Sequence, residues 1–97
     1  MNLERFLYTK HARDEMESEE LGEIREAEVF EAVLEGKMIQ EYPDDEPYPS
    51  CLIYGRTSTE RPLHVVCAYS AEDDMVVIIT VYEPHSSRWM DFERRLK

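Results

Sequence analysis

Leu63-His64-Val65-Val66-Cys67-Ala68-Tyr69 and Met75-Val76-Val77-Ile78-Ile79-Thr80-Val81-Tyr82 are two apolar runs separated by the polar stretch Ser70 to Asp74. Runs this rich in β-branched residues, split by a short acidic loop, predict an antiparallel hairpin. Apolar residues fill odd and even positions alike, which places the hairpin at the centre of a sheet covered on both faces. His64, Thr80 and Tyr82 break the pattern at the two ends that meet. Register decides what they do. A loop of three or five residues sets His64 opposite Thr80 or Tyr82 on one face; a four-residue loop, Ala71 to Asp74, sets it opposite Val81 and turns the other two away. The clustered arrangement is expected, because Thr80 and Tyr82, if buried, need hydrogen-bond partners.

The 97 residues make one domain, 1–97, large enough for one core. A hydrophobic fraction of 42% with 10% aromatics argues for a folded chain. No apolar run approaches a membrane span, and Met1 to Lys10 lacks the basic and apolar regions of a secretory signal, so a cytoplasmic protein with no membrane contact is expected. Cys51 and Cys67 are too few for a disulfide framework, and Cys67 lies in a strand pattern where a buried, inert thiol is the ordinary reading. The net charge of −11 falls mainly on residues 1–48, which carry 15 acidic and 5 basic side chains. Such a charge repels nucleic acid at long range, which argues against DNA as a partner, and suits a basic protein partner or simple solubility.

Working outward, Phe6-Leu7-Tyr8 is a short extended segment before Thr9, a suitable N-cap. Lys10 to about Glu20 reads as a helix with Ala12 and Met16 on one side, and Glu23 to Glu35 as a second, with Ala27, Phe30, Val33 and Leu34 on its buried stripe. Gly36 is placed to close it as the C′ residue. Lys37 to Tyr42 and Cys51 to Arg56 are strands. Between them, Pro43-Asp44-Asp45-Glu46-Pro47-Tyr48-Pro49 is a stiff loop whose acids lack the alternating ligands of a calcium site. Pro84 ends the last strand, and Ser86 or Ser87 caps a final helix bearing Trp89, Phe92 and Leu96. The expected fold is α+β: two N-terminal helices packed on a four-stranded antiparallel sheet, with a short C-terminal helix.

Four stretches carry a resemblance: Tyr8-Thr9-Lys10-His11-Ala12-Arg13; Glu41-Tyr42-Pro43-Asp44-Asp45 with Pro47-Tyr48-Pro49-Ser50; Arg61-Pro62-Leu63-His64-Val65-Val66; and Ile79-Thr80-Val81-Tyr82-Glu83-Pro84. In combination, over roughly Tyr8 to Pro84, the chain resembles the uncharacterised bacterial and archaeal domain family DUF4258, which lies near the RelE and ParE type of toxins. It departs at Glu15-Met16, where family members usually carry Arg-Met, and the connection from Glu17 to Ile24 is longer than usual.

The resemblance implies a RelE-like fold and a metal-independent RNA endonuclease of a toxin–antitoxin module, with an antitoxin-like protein and RNA or the ribosome as partners. Cleavage through the 2′-hydroxyl requires two proton-transfer groups and a cation at the phosphate. Histidine suits the first role and arginine the second. This chain offers His11 and His64 as the acid–base pair, Arg13 and Arg56 as phosphate ligands, and Thr80 and Tyr82 as positioning hydroxyls, with His11 expected near the same end of the sheet. Each has a structural alternative: His11 as a cap or surface residue, His64 as a satisfied core histidine, Arg13 paired with Glu17, and Tyr82 as core filling. His11, His64, His85 and Glu83 are metal-ligand types without ligand spacing, so neither metal nor cofactor is expected. The competing function is a non-catalytic module that binds a protein or small ligand on the same scaffold.

Overall fold

A computed structural model of the chain describes residues 5–46, 48–85 and 89–95, the last of these with backbone alone at 89–90 and 94–95. In chain order the elements are β1 (Phe6–Tyr8), α1 (Lys10–Ser18), α2 (Glu26–Glu35), β2 (Lys37–Tyr42), β3 (Ser50–Arg56), β4 (Pro62–Ser70), β5 (Met75–Tyr82), β6 (Trp89–Met90) and β7 (Arg94–Arg95). The first five strands form one sheet in the order β1-β5-β4-β3-β2, and β6 and β7 form a separate two-stranded sheet. The α+β class stands. The four-stranded antiparallel sheet does not: Phe6–Tyr8 joins as a fifth strand, parallel to β5, with Phe6 opposite Val76 and Tyr8 opposite Ile78. A parallel pair needs a long crossover, and everything from Thr9 to Asp74 supplies it.

Thr9 acts as the N-cap, its hydroxyl accepting the Ala12 N–H at 3.1 Å. α1 then buries Ala12 and Met16 and ends at Ser18, earlier than expected. At the second helix the buried stripe differs from the expected one. Val29 and Ala32 are fully buried, Phe30 and Val33 pack at the flank, and Ala27 and Leu34 are exposed. Close approach explains this. A Cβ on Gly55 of β3 would collide with the carbonyl of Ala32, so the smallest side chain of the helix must face the strand. Gly36 lies at the same contact and keeps an extended backbone (φ −83°), serving close packing instead of a left-handed helix end. Phe30 packs instead on Phe6, with ring centroids 5.3 Å apart.

Both helices lie on one face of the sheet. The core there joins Ala12, Met16, Val29 and Ala32 to Leu63, Val65, Ile78 and Val81. The alternate residues of β4, His64 and Val66, point to the back face. The expected C-terminal helix is absent among the described residues: 89–95 turn back as a hairpin, with Trp89 opposite Arg95. Asp91 and Phe92 have φ of 51° and 61°, a left-handed conformation that no α-helix accommodates. The proposed caps Ser86 and Ser87, and Leu96, lie outside the described residues.

Candidate functional site

The central hairpin turns through four residues, Ala71 to Asp74, with Ser70 opposite Met75. That loop alone would set His64 opposite Val81. A β-bulge intervenes: Cys67 faces Ile78 but Val66 faces Thr80, so Ile79 is an extra residue and His64 pairs with Tyr82. Thr9 holds the bulge in place, its N–H donating to Ile78 O at 3.0 Å and its hydroxyl to Ile79 O at 3.2 Å. Thr80, two residues before Tyr82 on β5, shares the back face with His64 and Tyr82.

His64 is completely buried. Its Nε2 lies 2.5 Å from the carbonyl oxygen of Phe92, in the turn between β6 and β7. A carbonyl only accepts, so Nε2 carries the proton and Nδ1 is left as an acceptor, 3.1 Å from Oη of Tyr82, which donates to it. Burial lowers the imidazole pKa from its ordinary value of 6.5, and the bond to Phe92 O partly offsets that. Both ring nitrogens of the neutral form are thus engaged. Aromatic rings line either side: Tyr82 edge-on at 5.2 Å and Tyr54 edge-on at 5.9 Å, with Phe92 6.1 Å from Tyr54. Arg56 covers this group, its guanidinium carbon 5.8 Å from the centroids of both Tyr54 and Phe92, while Nη1 donates to Glu60 O at 2.9 Å. Lys37 fastens the same turn through Glu93 at 2.6 Å. Beside Arg56 opens a cleft of about 620 Å³ lined by Phe30, Leu34, Lys37 and Tyr54, with Glu31, Glu35 and Glu60 on it as well.

The other expected residues sit elsewhere. His11 is on α1, in the opposite layer from His64; it is largely exposed and its Nε2 is 3.4 Å from Glu15. The structure does not assemble His11 and His64 into one acid–base pair, because the sheet separates the helical layer from the back face. Arg13 is paired with Glu26 at 3.0 Å, not with Glu17, and lies 5.0 Å from the ring of Tyr8. Only His64, Tyr82, Thr80 and Arg56 share the back face or its rim.

Three roles were not legible in the sequence. Tyr54 and Phe92 complete the aromatic surround of His64, which depends on the strand register and on the C-terminal turn. Glu15, the departure from the usual Arg-Met pair, accepts the Val81 N–H at 3.0 Å, and Glu19 accepts the Glu83 N–H at 2.7 Å. These carboxylates close the edge of β5 beyond the end of β1, which would otherwise present unpaired donors. Burial raises the carboxyl pKa of Glu15, and the bond from Val81 partly offsets that. Arg61 ties the β3–β4 turn to Glu83 at 2.6 Å, to Glu28 at 3.3 Å, and to the carbonyls of Glu23 and Gly22. Its position beside Pro62, in one of the four stretches that carry the resemblance, was the only signal.

Among the described residues no group of three or more His, Cys, Asp or Glu is arranged to hold a metal ion. Asp45 of the acidic loop instead accepts the Ser50 hydroxyl at 2.5 Å. No described helix is long and apolar enough to cross a membrane.

Comparison with known proteins gives one result. No curated protein and no solved structure matches the chain. Residues 8–83, most of its length, match the family described as a domain of unknown function, and the chain belongs to that family, DUF4258.

Proposed function

We propose that this domain is a non-catalytic protein-binding module built on a toxin-like scaffold. One observation carries the reading: His64, the histidine of the back-face cluster, is fully buried, with Nε2 donating to Phe92 O and Nδ1 accepting from Tyr82. A general acid or base must reach the proton it moves. Here both ring nitrogens are committed within the fold, and His11 lies in the other layer. The net charge of −11 further weakens attraction to a polyanion.

The test is direct. Purified protein incubated with mixed-sequence RNA and with translating ribosomes should leave the RNA intact, and induced expression should not arrest growth. Cleavage or growth arrest that His64→Ala abolishes would overturn the reading.

A second reading is RNA cleavage of the RelE type. It is favoured by Arg56, an exposed cation against Tyr54 and Phe92, a combination that suits a phosphate and a base. This reading requires the turn at Phe92 to leave His64, so its activity would appear on removing residues 89–97 and would be lost with Arg56→Ala.

A further inference from the structure

The helical layer covers only part of its face of the sheet. α1 and α2, nine and ten residues long, extend about 14–15 Å each, whereas β4, at nine residues, extends about 30 Å. Along the helix-facing side of β4 the consequence is graded. Leu63 and Val65 are fully buried, Cys67 is 5% exposed, and Tyr69 is 54% exposed. Where the helices stop, a groove of about 470 Å³ remains. Its floor is Ile53, Cys51, Cys67 and Val76, and its walls are Val33, Met38 and Tyr69. Met38, also 54% exposed, belongs to β2, the outermost strand, whose bulge at Ile39 blunts it against simple edge pairing.

We propose that this groove seats an amphipathic helix of a partner protein, one with an aliphatic stripe flanked by lysine and arginine. This rests on the reading of the domain as a binding module and names the surface and the partner chemistry. The shape argument is that the vacancy continues the layer formed by α1 and α2, and a third helix on that layer would bury the apolar strip as α2 buries its own. Charge chooses the partner. Among the described residues Glu41 is the only charged one that lines the groove, and the adjoining exposed loop carries Asp44, Asp45 and Glu46. At the far wall Tyr69 donates to Asp74 at 2.8 Å, and the nearby cation Arg5 is drawn to the same carboxylate at 3.8 Å. The rim therefore selects a cationic helix and rejects an acidic one. A second copy of this chain, with its excess of negative charge, fits less well.

The probe is a synthetic leucine–lysine amphipathic helix, titrated into the full chain and followed by amide and methyl NMR shifts. A scrambled peptide of the same composition and a leucine–glutamate helix serve as controls. The expected result is saturable binding that shifts Val33, Met38, Cys67, Tyr69 and Val76, weakened at least tenfold in the doubly substituted Met38→Gln, Tyr69→Gln chain. Both positions are half exposed, so that variant keeps its fold. Equal binding of the scrambled peptide, equal binding of the acidic helix, or no effect of the double substitution would each overturn the proposal. So would concentration-dependent dimerisation that the double substitution abolishes, since the occupant would then be a second copy. Absence of RNA cleavage is measured separately, so the groove can fail while the module reading stands, and the converse.

Discussion

Leu63, His64 and Val65 are consecutive residues of β4, all completely buried, and they are buried in opposite ways. Leu63 and Val65 face the helices, where they join Val29, Ala32, Ile78 and Val81 in the apolar core. His64 faces the back, where its burial is supported by Phe92 O and Tyr82 Oη, which meet its two nitrogens. One face is held by packing of apolar side chains, which depends little on pH. The other is held by hydrogen bonds, one to β5 and one to a short C-terminal hairpin, and its strength depends on the protonation state of one imidazole. The contacts that make the burial possible are those that occupy both ring nitrogens.

The largest effect expected is on the packed face. Leu63→Ala should cost about 2–5 kcal/mol in urea unfolding, as for other fully buried leucines. The loss should be the same at pH 8 and pH 5, and a loss under about 1 kcal/mol would show that the helical layer can relax into the space. The next effect sharpens the contrast. Tyr82→Phe removes the donor to Nδ1 while keeping the ring, and should cost about 1–3 kcal/mol, the range for a buried polar group that loses a hydrogen-bond partner. No change in stability would mean that the hydroxyl contributes nothing to the burial of His64.

The smallest effect is a slope with pH. Because burial lowers the pKa of His64 below its ordinary 6.5, the unfolded chain takes up the proton first as pH falls. Its contribution is therefore complete above pH 6.5 and declines on acidification below it, levelling off once the folded-state pKa has been passed. Unfolding measured at pH 8, 7, 6 and 5 should show this decline in the native chain and a smaller one in His64→Gln. Identical profiles would break the comparison, since the back face would then be as indifferent to pH as the helix face.

Much of the fold follows from local chemistry. Thr9 caps a helix because its hydroxyl reaches the Ala12 N–H three residues on, and the two β-branched runs form strands, because propensity is a property of short segments. The family membership was legible too, through the four stretches between Tyr8 and Pro84. The stripe of the second helix was legible only in part. Periodicity marks an apolar arc, but Gly55 decides that Ala32 and Val29 sit at its centre, and Gly55 is 23 residues away from Ala32 in the chain.

The candidate site depended almost wholly on tertiary structure. Ile79 is as β-branched as its neighbours, so nothing in the run marks it as the bulge. What fixes it is the close of β1 and the start of α1, with Thr9 holding the carbonyls of Ile78 and Ile79 and Glu15 taking the N–H of Val81. The clustered arrangement of His64 and Tyr82 was expected from a loop of odd length and arises instead from an even loop corrected by that extra residue. The C-terminal hairpin is likewise a tertiary choice. Trp89, Phe92 and Leu96 have helical spacing, but the left-handed backbone at Asp91 and Phe92 turns the chain so that Phe92 O meets His64. Segment type is set by short-range propensity and pattern, while register, strand parentage and the partner of a buried histidine are set by contacts across dozens of residues, which no window of sequence contains.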